Sequence, residues 1–364
     1  MTALRPLLGS LLLAASLTVS ACAGGPTEVA TDTPTDTPTE AAAPSTTELT
    51  PVKFTLSWLF QGVDAPLAIA LEQGYFAEEG LDVTFERGFG SADSITKIAA
   101  GQYDIGEGDM YSMMEFNEKN PDQQLVAVAI KFNRSPFVIV TKGDSEFSEP
   151  AKLAGANLAA PAGDGPRRLW PVLAKEVGAE ADSVEWTNVE PQLREGMLAQ
   201  GNADGISCFS ISCLPVLSQK LGLPQEDLNV FYYNDYGLDL YGNALIVRKE
   251  FLEANPEVVR GFVAAYIKGL KDTLADPEAA LAVVTEYADD ELFDTVIEAE
   301  RMQIAVDRLY TGPETATLGL GGVDTERLEK TMAQVAEGFG LTTVPSVEAV
   351  FDSSYLPPQE DRMP

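Results

Sequence analysis

The chain has 364 residues, 45% of them hydrophobic, which suffices for one large or two medium globular domains and is too apolar for a wholly disordered chain. With 56 acidic against 24 basic residues its formal charge is -32, a balance that repels phosphate backbones and excludes nucleic acid as a natural partner. It contains no histidine, so the commonest general base, nitrogen metal ligand and near-neutral proton switch are all missing, which argues against an enzyme.

Residues 1–22 read as a targeting segment: Arg5 precedes an apolar run from Leu7 to Val19, too short to span a bilayer comfortably, and small residues follow. The sequence Val19-Ser20-Ala21-Cys22 resembles a bacterial lipobox, which implies cleavage before Cys22 and acylation of its thiol. Several acyl chains on one residue give stable anchoring, where one chain would be marginal. Residues 23–51 are dominated by Thr, Pro, Ala and acids, lack Lys and Arg, and repeat DTPT in tandem. Such a segment cannot bury enough apolar surface to offset its ordering entropy, so it is expected to be a disordered tether.

From Val52 short apolar runs alternate with helical patterns. Val52–Leu56 alternates as a strand, Pro66–Gln73 carries apolar residues at helical spacing, and Leu81–Glu86 is a second strand. A helix over Ser91–Ala100, a short strand over Tyr103–Gly106, and strands over Gln124–Ile130 and Phe137–Thr141 complete an α/β unit with a largely parallel sheet. A second unit begins near Lys142, with strands at Ala156–Ala160, Val184–Asn188, Ala203–Phe209 and Asn229–Tyr232 and helices at Pro166–Val177 and Glu190–Ala199. A strand at Ala244–Val247 follows, and beyond Asn255-Pro256 the chain is mainly helical.

The segments GYFAEEGLDV, Gly74 to Val83, and GSADSITKIAAGQYDIGEGD, Gly90 to Asp109, resemble the bacterial substrate-binding proteins of nitrate, sulfonate, taurine and thiamine-pyrimidine import systems. The likeness continues through Gly163-Asp164, Leu198 to Ala203, Asn255 to Val258 and Val350 to Pro357. It implies an α/β, bilobal periplasmic-binding-protein fold with two lobes joined by a two-crossing hinge. Lobe 1 would comprise residues 52–141 plus 244–311, lobe 2 residues 142–243, and 312–364 a C-terminal helical extension. The crossings would fall near Thr141-Lys142-Gly143 and Tyr241-Gly242-Asn243, with glycine absorbing backbone rotation.

Ligands of α/β sheets sit beyond the carboxyl ends of the strands. That rule selects Trp58, Gln61 and Asp64 after the first strand, where an aromatic can stack on a planar ligand and a carboxylate can accept from an amine. Trp58 reads equally as a core side chain, and many relatives carry histidine where this chain has Asp64. Gly90 and Ser91 open a helix and offer amides and a hydroxyl, or simply cap it; Asp109 and Tyr111 follow the third strand. In the second lobe Asp164 can cap a helix and Arg167 or Arg168 can grip an anion, while Tyr236 and Tyr241 lie beside the proposed hinge. Cys208 and Cys213 pair as a disulfide or stay as buried thiols, and two cysteines without histidine make no metal site.

The function implied is capture of a small molecule outside the cytoplasm by a lipid-anchored monomer that delivers it to the permease and ATPase subunits of an ABC importer, without a cofactor. Trp58, Phe60, Tyr111, Tyr236 and Tyr241 favour a planar heterocycle such as a thiamine pyrimidine precursor, while Arg134, Arg167 and Arg168 keep a sulfonate, taurine or nitrate open. The fold family also contains a eukaryotic thiamine pyrimidine synthase, but the corresponding region here, Leu238 to Gly242, has no cysteine and the chain no histidine. A sensory module with the same bilobal body would read identically.

Overall fold

The structure, a computed structural model, describes residues 48–288 and 293–364. The expected leader, Cys22 and the tether up to residue 47 lie outside the described residues. The first strand already begins at Thr50, inside the span expected for the tether.

Ten strands make two five-stranded sheets. The first holds β1 (Thr50–Thr55), β2 (Leu81–Glu86), β3 (Ile105–Asp109), β4 (Leu125–Ile130) and β10 (Asn243–Arg248) in the order β2-β1-β3-β10-β4. The second holds β5 (Phe137–Lys142), β6 (Asn157–Ala160), β7 (Glu185–Asn188), β8 (Gly205–Phe209) and β9 (Leu228–Tyr232) in the order β7-β6-β8-β5-β9. In each sheet four strands run in one direction and the fifth is inserted antiparallel between two of them: β10 between β3 and β4, β5 between β8 and β9. The sheets are therefore mixed rather than largely parallel. Strand β4 reads LVAVAI and is buried along its whole length, because helices cover both faces.

The core of the first lobe forms where the helix Pro256–Ala275 lies over β1, stacking Phe262 on Phe54 and Phe76 with ring centroids 5.2 and 4.9 Å apart. Each such ring contributes about 1.5–3 kcal/mol through burial. In the second lobe Trp170 is buried and donates its indole N–H to the Ala181 carbonyl at 2.8 Å.

One boundary differs from the sequence expectation. β5 pairs with β8 and β9, so the chain has already entered the second sheet before Thr141. The first crossing is residues 131–136, and the expected site at Thr141-Lys142-Gly143 is the far end of β5. The return crossing spans residues 233–242. The two crossings are hydrogen-bonded to each other: the amides of Lys131 and Phe132 donate to the Asn243 carbonyl at 2.8 and 3.1 Å, and the Gly242 amide to Phe132 at 2.9 Å. A Cβ on Gly242 would come 2.7 Å from that of Phe132, so this glycine serves close approach of the crossings.

Residues beyond 311 fasten both lobes. The helix Thr325–Phe339 packs on the helices Met110–Lys119 and Gly165–Glu176. The helix Thr295–Arg308 of the first lobe packs on Ser210–Gln219 of the second.

Candidate ligand-binding site

A cavity with about 480 Å³ of empty space, part of it open to solvent, lies between the lobes. Ser57, Trp58, Phe89, Gly90 and Ser91 line it from the first lobe. Pro161, Gly163, Asp164, Gly165, Arg194, Phe209 and Ser212 line it from the second. These residues follow the carboxyl ends of β1, β2, β6 and β8 or begin the next helices, as the geometry of open α/β sheets requires. The lobes approach closely: a Cβ on Gly90 would stand 3.7 Å from the Gly163 carbonyl oxygen.

The first-lobe wall is built on Ser57. Its carbonyl accepts the Gly90 amide at 2.8 Å, which fixes the loop carrying Phe89, and Gly90 takes φ 117°, a conformation that favours glycine. Gly90 is the N-cap of Ser91–Ala99 and provides no side-chain cap, so first-turn amides remain beside the cavity for a ligand acceptor. Trp58 is half-buried at the cavity wall.

The second-lobe wall centres on Asp164 and Arg194. Asp164 caps Gly165–Glu176, accepting the Arg167 amide at 3.3 Å and the Ser207 hydroxyl at 2.5 Å. Burial pushes its carboxyl above the ordinary range, and Arg194 opposes that rise from 3.6 Å. Arg194 also donates to Glu195 from Nε at 3.0 Å and Nη2 at 2.6 Å. Burial disfavours its charge, and the Glu195 and Asp164 carboxylates more than offset this. The cavity's lining cation is thus already held by two carboxylates. Phe209 ends β8 and Ser212 lies in the first turn of the helix Ser210–Gln219, and a Cys208–Cys213 disulfide, one of the alternatives open from sequence, spans that junction.

Of the residues selected from sequence, Trp58, Gly90, Ser91 and Asp164 line this cavity, and the others stand elsewhere. Gln61 and Asp64 are buried behind it: the Gln61 amide donates to Asp64 Oδ2 at 2.9 Å, and Asp64 Oδ1 accepts from Lys131 Nζ at 2.5 Å. Strand β3 runs on to Asp109, so Asp109 is the fully buried N-cap of Met110–Lys119, accepting the amides of Tyr111 at 3.1 Å and Ser112 at 2.9 Å. Tyr111 turns inward, its hydroxyl 2.8 Å from that of Thr331. Tyr241 is buried at the lobe junction, where its hydroxyl donates to Glu314 at 3.0 Å and accepts the Asp324 amide at 2.7 Å beneath the Arg327 guanidinium. Tyr236 stands edge-on to Phe231, 6.2 Å between centroids. Arg167 stacks over Trp186 and donates to Asn188 at 2.5 Å, and Arg168 pairs with Glu115 of the first lobe. Sequence reasoning missed Arg194, whose adjacent Glu195 in a short polar helix start was the available signal.

The family model described as NMT1/THI5 like matches residues 62–280. A formylaminopyrimidine-binding protein of Halalkalibacterium halodurans is 26% identical over 78% of this chain and 84% of its own length. A riboflavin-binding protein of Chloroflexus aurantiacus is 24% identical over 85% of this chain and 87% of its own. A 4-amino-5-hydroxymethyl-2-methylpyrimidine phosphate synthase of Saccharomyces cerevisiae is 27% identical over 63% of this chain and 68% of its own. Among solved structures, the alkanesulfonate-binding protein SsuA of Xanthomonas axonopodis bound to MOPS superposes with a TM-score of 0.62 at 12% identity, over 85% of this chain and 98% of that one. The fold is that of the periplasmic binding proteins, and with more than half of its length matched the chain belongs to the NMT1/THI5-like family.

Proposed function

We propose that this chain is the extracytoplasmic solute-binding component of an ABC importer and that it captures a small, planar, uncharged or weakly basic heterocycle of the thiamine-pyrimidine class by closing its lobes. The observation that carries the ligand class is the pairing of Arg194 with both Asp164 and Glu195 in a cavity walled by Trp58 and Phe209. Among the described residues the cavity wall offers a sulfonate or nitrate no cation free of a carboxylate, only hydroxyls and the first-turn amides at Ser91. Aromatic faces and a buried carboxylate instead suit a flat ring with an exocyclic amine. The formylaminopyrimidine-binding relative supports the same class. Binding without chemistry fits a wall that holds no histidine or free thiol, and it sets this chain apart from its synthase relatives.

The leader ending at Cys22 and the acidic tether support a lipid-anchored placement outside the cytoplasmic membrane, where a permease and ATPase would receive the cargo from a monomer. A thermal-shift screen against formylaminopyrimidine, riboflavin, taurine, an alkylsulfonate and nitrate tests the ligand class. At a hundredfold excess over Kd the right compound adds about 2.7 kcal/mol of apparent stability. A response to sulfonates alone would overturn the heterocycle reading.

A further inference from the structure

Ser57 faces the cavity and also ends a buried run of polar contacts that reaches both crossings. Its Oγ donates to Glu107 Oε1 at 2.9 Å, and its amide donates to the same oxygen at 3.1 Å. The Asn243 side-chain amide donates to Ser57 Oγ at 2.8 Å, and Asn243 is where the return crossing enters β10. The second oxygen of Glu107 accepts from Lys131 Nζ at 2.7 Å, and Lys131 is the first residue of the outgoing crossing. Ser57, Glu107, Lys131 and Asn243 are 5, 3, 2 and 1% exposed, so water does not compete for these bonds.

We propose that Glu107 is a positioning residue for ligand capture: it holds the ligand-facing Ser57 and the hinge residues Lys131 and Asn243 in one hydrogen-bonded unit, so that contact at Ser57 biases the angle between the lobes. The inference rests on the solute-binding reading above. Glu107 is suited to the task because it stands on the central strand β3 and carries two equivalent acceptor oxygens, one turned to Ser57 and one to Lys131. Since Lys131 and Phe132 both donate to the Asn243 carbonyl, the crossings move together, and a shift of either is felt at Ser57. Glutamine in this place keeps the volume but gives up one acceptor, so one of the two links must break.

The test uses the full chain with spin labels on cysteines introduced at the exposed positions Asp82 and Glu185, one in each sheet. Distance distributions between the labels are recorded with and without formylaminopyrimidine, alongside its Kd. Glu107→Gln is expected to broaden the unliganded distribution and to weaken the probe about tenfold. Ser57→Ala and Asn243→Ala read the same link from its ends, also where Glu107→Gln does not fold, and their effects on the distribution should be less than additive in combination. Unchanged distributions in all three variants overturn the proposal, even if affinity falls. Should the wild-type chain bind no pyrimidine, the ligand class fails while the unliganded distributions still decide the role of Glu107.

Discussion

Pro215 has no amide hydrogen to give the Ile211 carbonyl four residues before it, and Arg301 of the opposite lobe supplies the missing donor, Nε to oxygen at 3.0 Å. A helix-breaking residue thereby becomes a docking point between lobes. The same arginine pairs with Glu298, whose other oxygen accepts the Gly62 amide at 2.7 Å. Arg301→Met leaves the Glu298 carboxylate buried beside an orphaned carbonyl, and should destabilise the chain by about 3 kcal/mol in urea unfolding. Pro215→Ala restores the helical donor and should cost under about 1 kcal/mol. Equal losses in the two variants would show that the contact contributes nothing specific.

At the cavity wall, Trp58→Ala should weaken binding of formylaminopyrimidine by about 1–3 kcal/mol in titration calorimetry while changing the melting temperature little. An unchanged Kd with a lowered melting temperature would return Trp58 to the core. Tyr111→Phe makes the contrast. It removes the hydroxyl contact to Thr331, 2.8 Å away, and should cost about 1 kcal/mol of stability with no change in affinity.

Burial pushes the Asp64 carboxyl from its usual 3.8 up to about 6, with Glu107 adding to the rise and Lys131 opposing it. Burial works against the Lys131 ammonium too, but its two carboxylates more than offset this, so the lysine stays charged. A folded-state value above the unfolded one means that the folded chain keeps the Asp64 proton longer as pH rises. Stability from this group is therefore full below about pH 4, declines as pH climbs through about 6, and is flat above. In thermal melts across pH 4–7, Asp64→Asn should remove this slope, and an unaltered pH profile would contradict the assignment.

The Cys208–Cys213 disulfide spans the junction of β8 with Ser210–Gln219, which brings Phe209 and Ser212 to the cavity. For so short a loop, removing it with Cys208→Ser/Cys213→Ser should cost about 2 kcal/mol of stability. It should also weaken ligand binding, because the crosslink that holds the junction between β8 and Ser210–Gln219, which presents both wall residues, is lost. A stability loss at unchanged Kd would limit the bridge to a scaffold role.

Much of the fold could be read from local pattern, because helical spacing and strand alternation are local properties. Leu81–Glu86 lies where the residues put it, and the chain beyond Asn255-Pro256 is mainly helical as they imply. The sheet to which β5 belongs was not legible, since it is decided by pairing with β8 and β9, some seventy to ninety residues later. The helices Met110–Lys119 and Ser210–Gln219 were not legible, the first because its polar and methionine residues carry no clean apolar stripe, the second because Pro215 interrupts it. In the site, residues adjacent to strand ends were found by the sheet rule, as with Trp58, Gly90 and Asp164. Asp64 invited a ligand role because its partner Lys131 is 67 positions away, and Arg194 was overlooked because an Arg-Glu pair opening a helix resembles any solvated turn.

The edge of the first sheet is closed by residues made much later than its edge strand. Ala127 on β4 bridges to Phe351 and accepts the Asp352 amide at 2.9 Å, while the Ile130 amide donates to Gly321 at 2.9 Å. During synthesis, therefore, β4 leaves the ribosome more than two hundred residues before its cover, and β10, its other neighbour, follows after more than a hundred. Until then an apolar strand with unpaired backbone is open to any passing chain. A transcript cut short near codon 320 would yield not a smaller binding protein but a sticky fragment, and survival of the nascent chain depends on whatever shields β4 until Phe351 and its neighbours arrive.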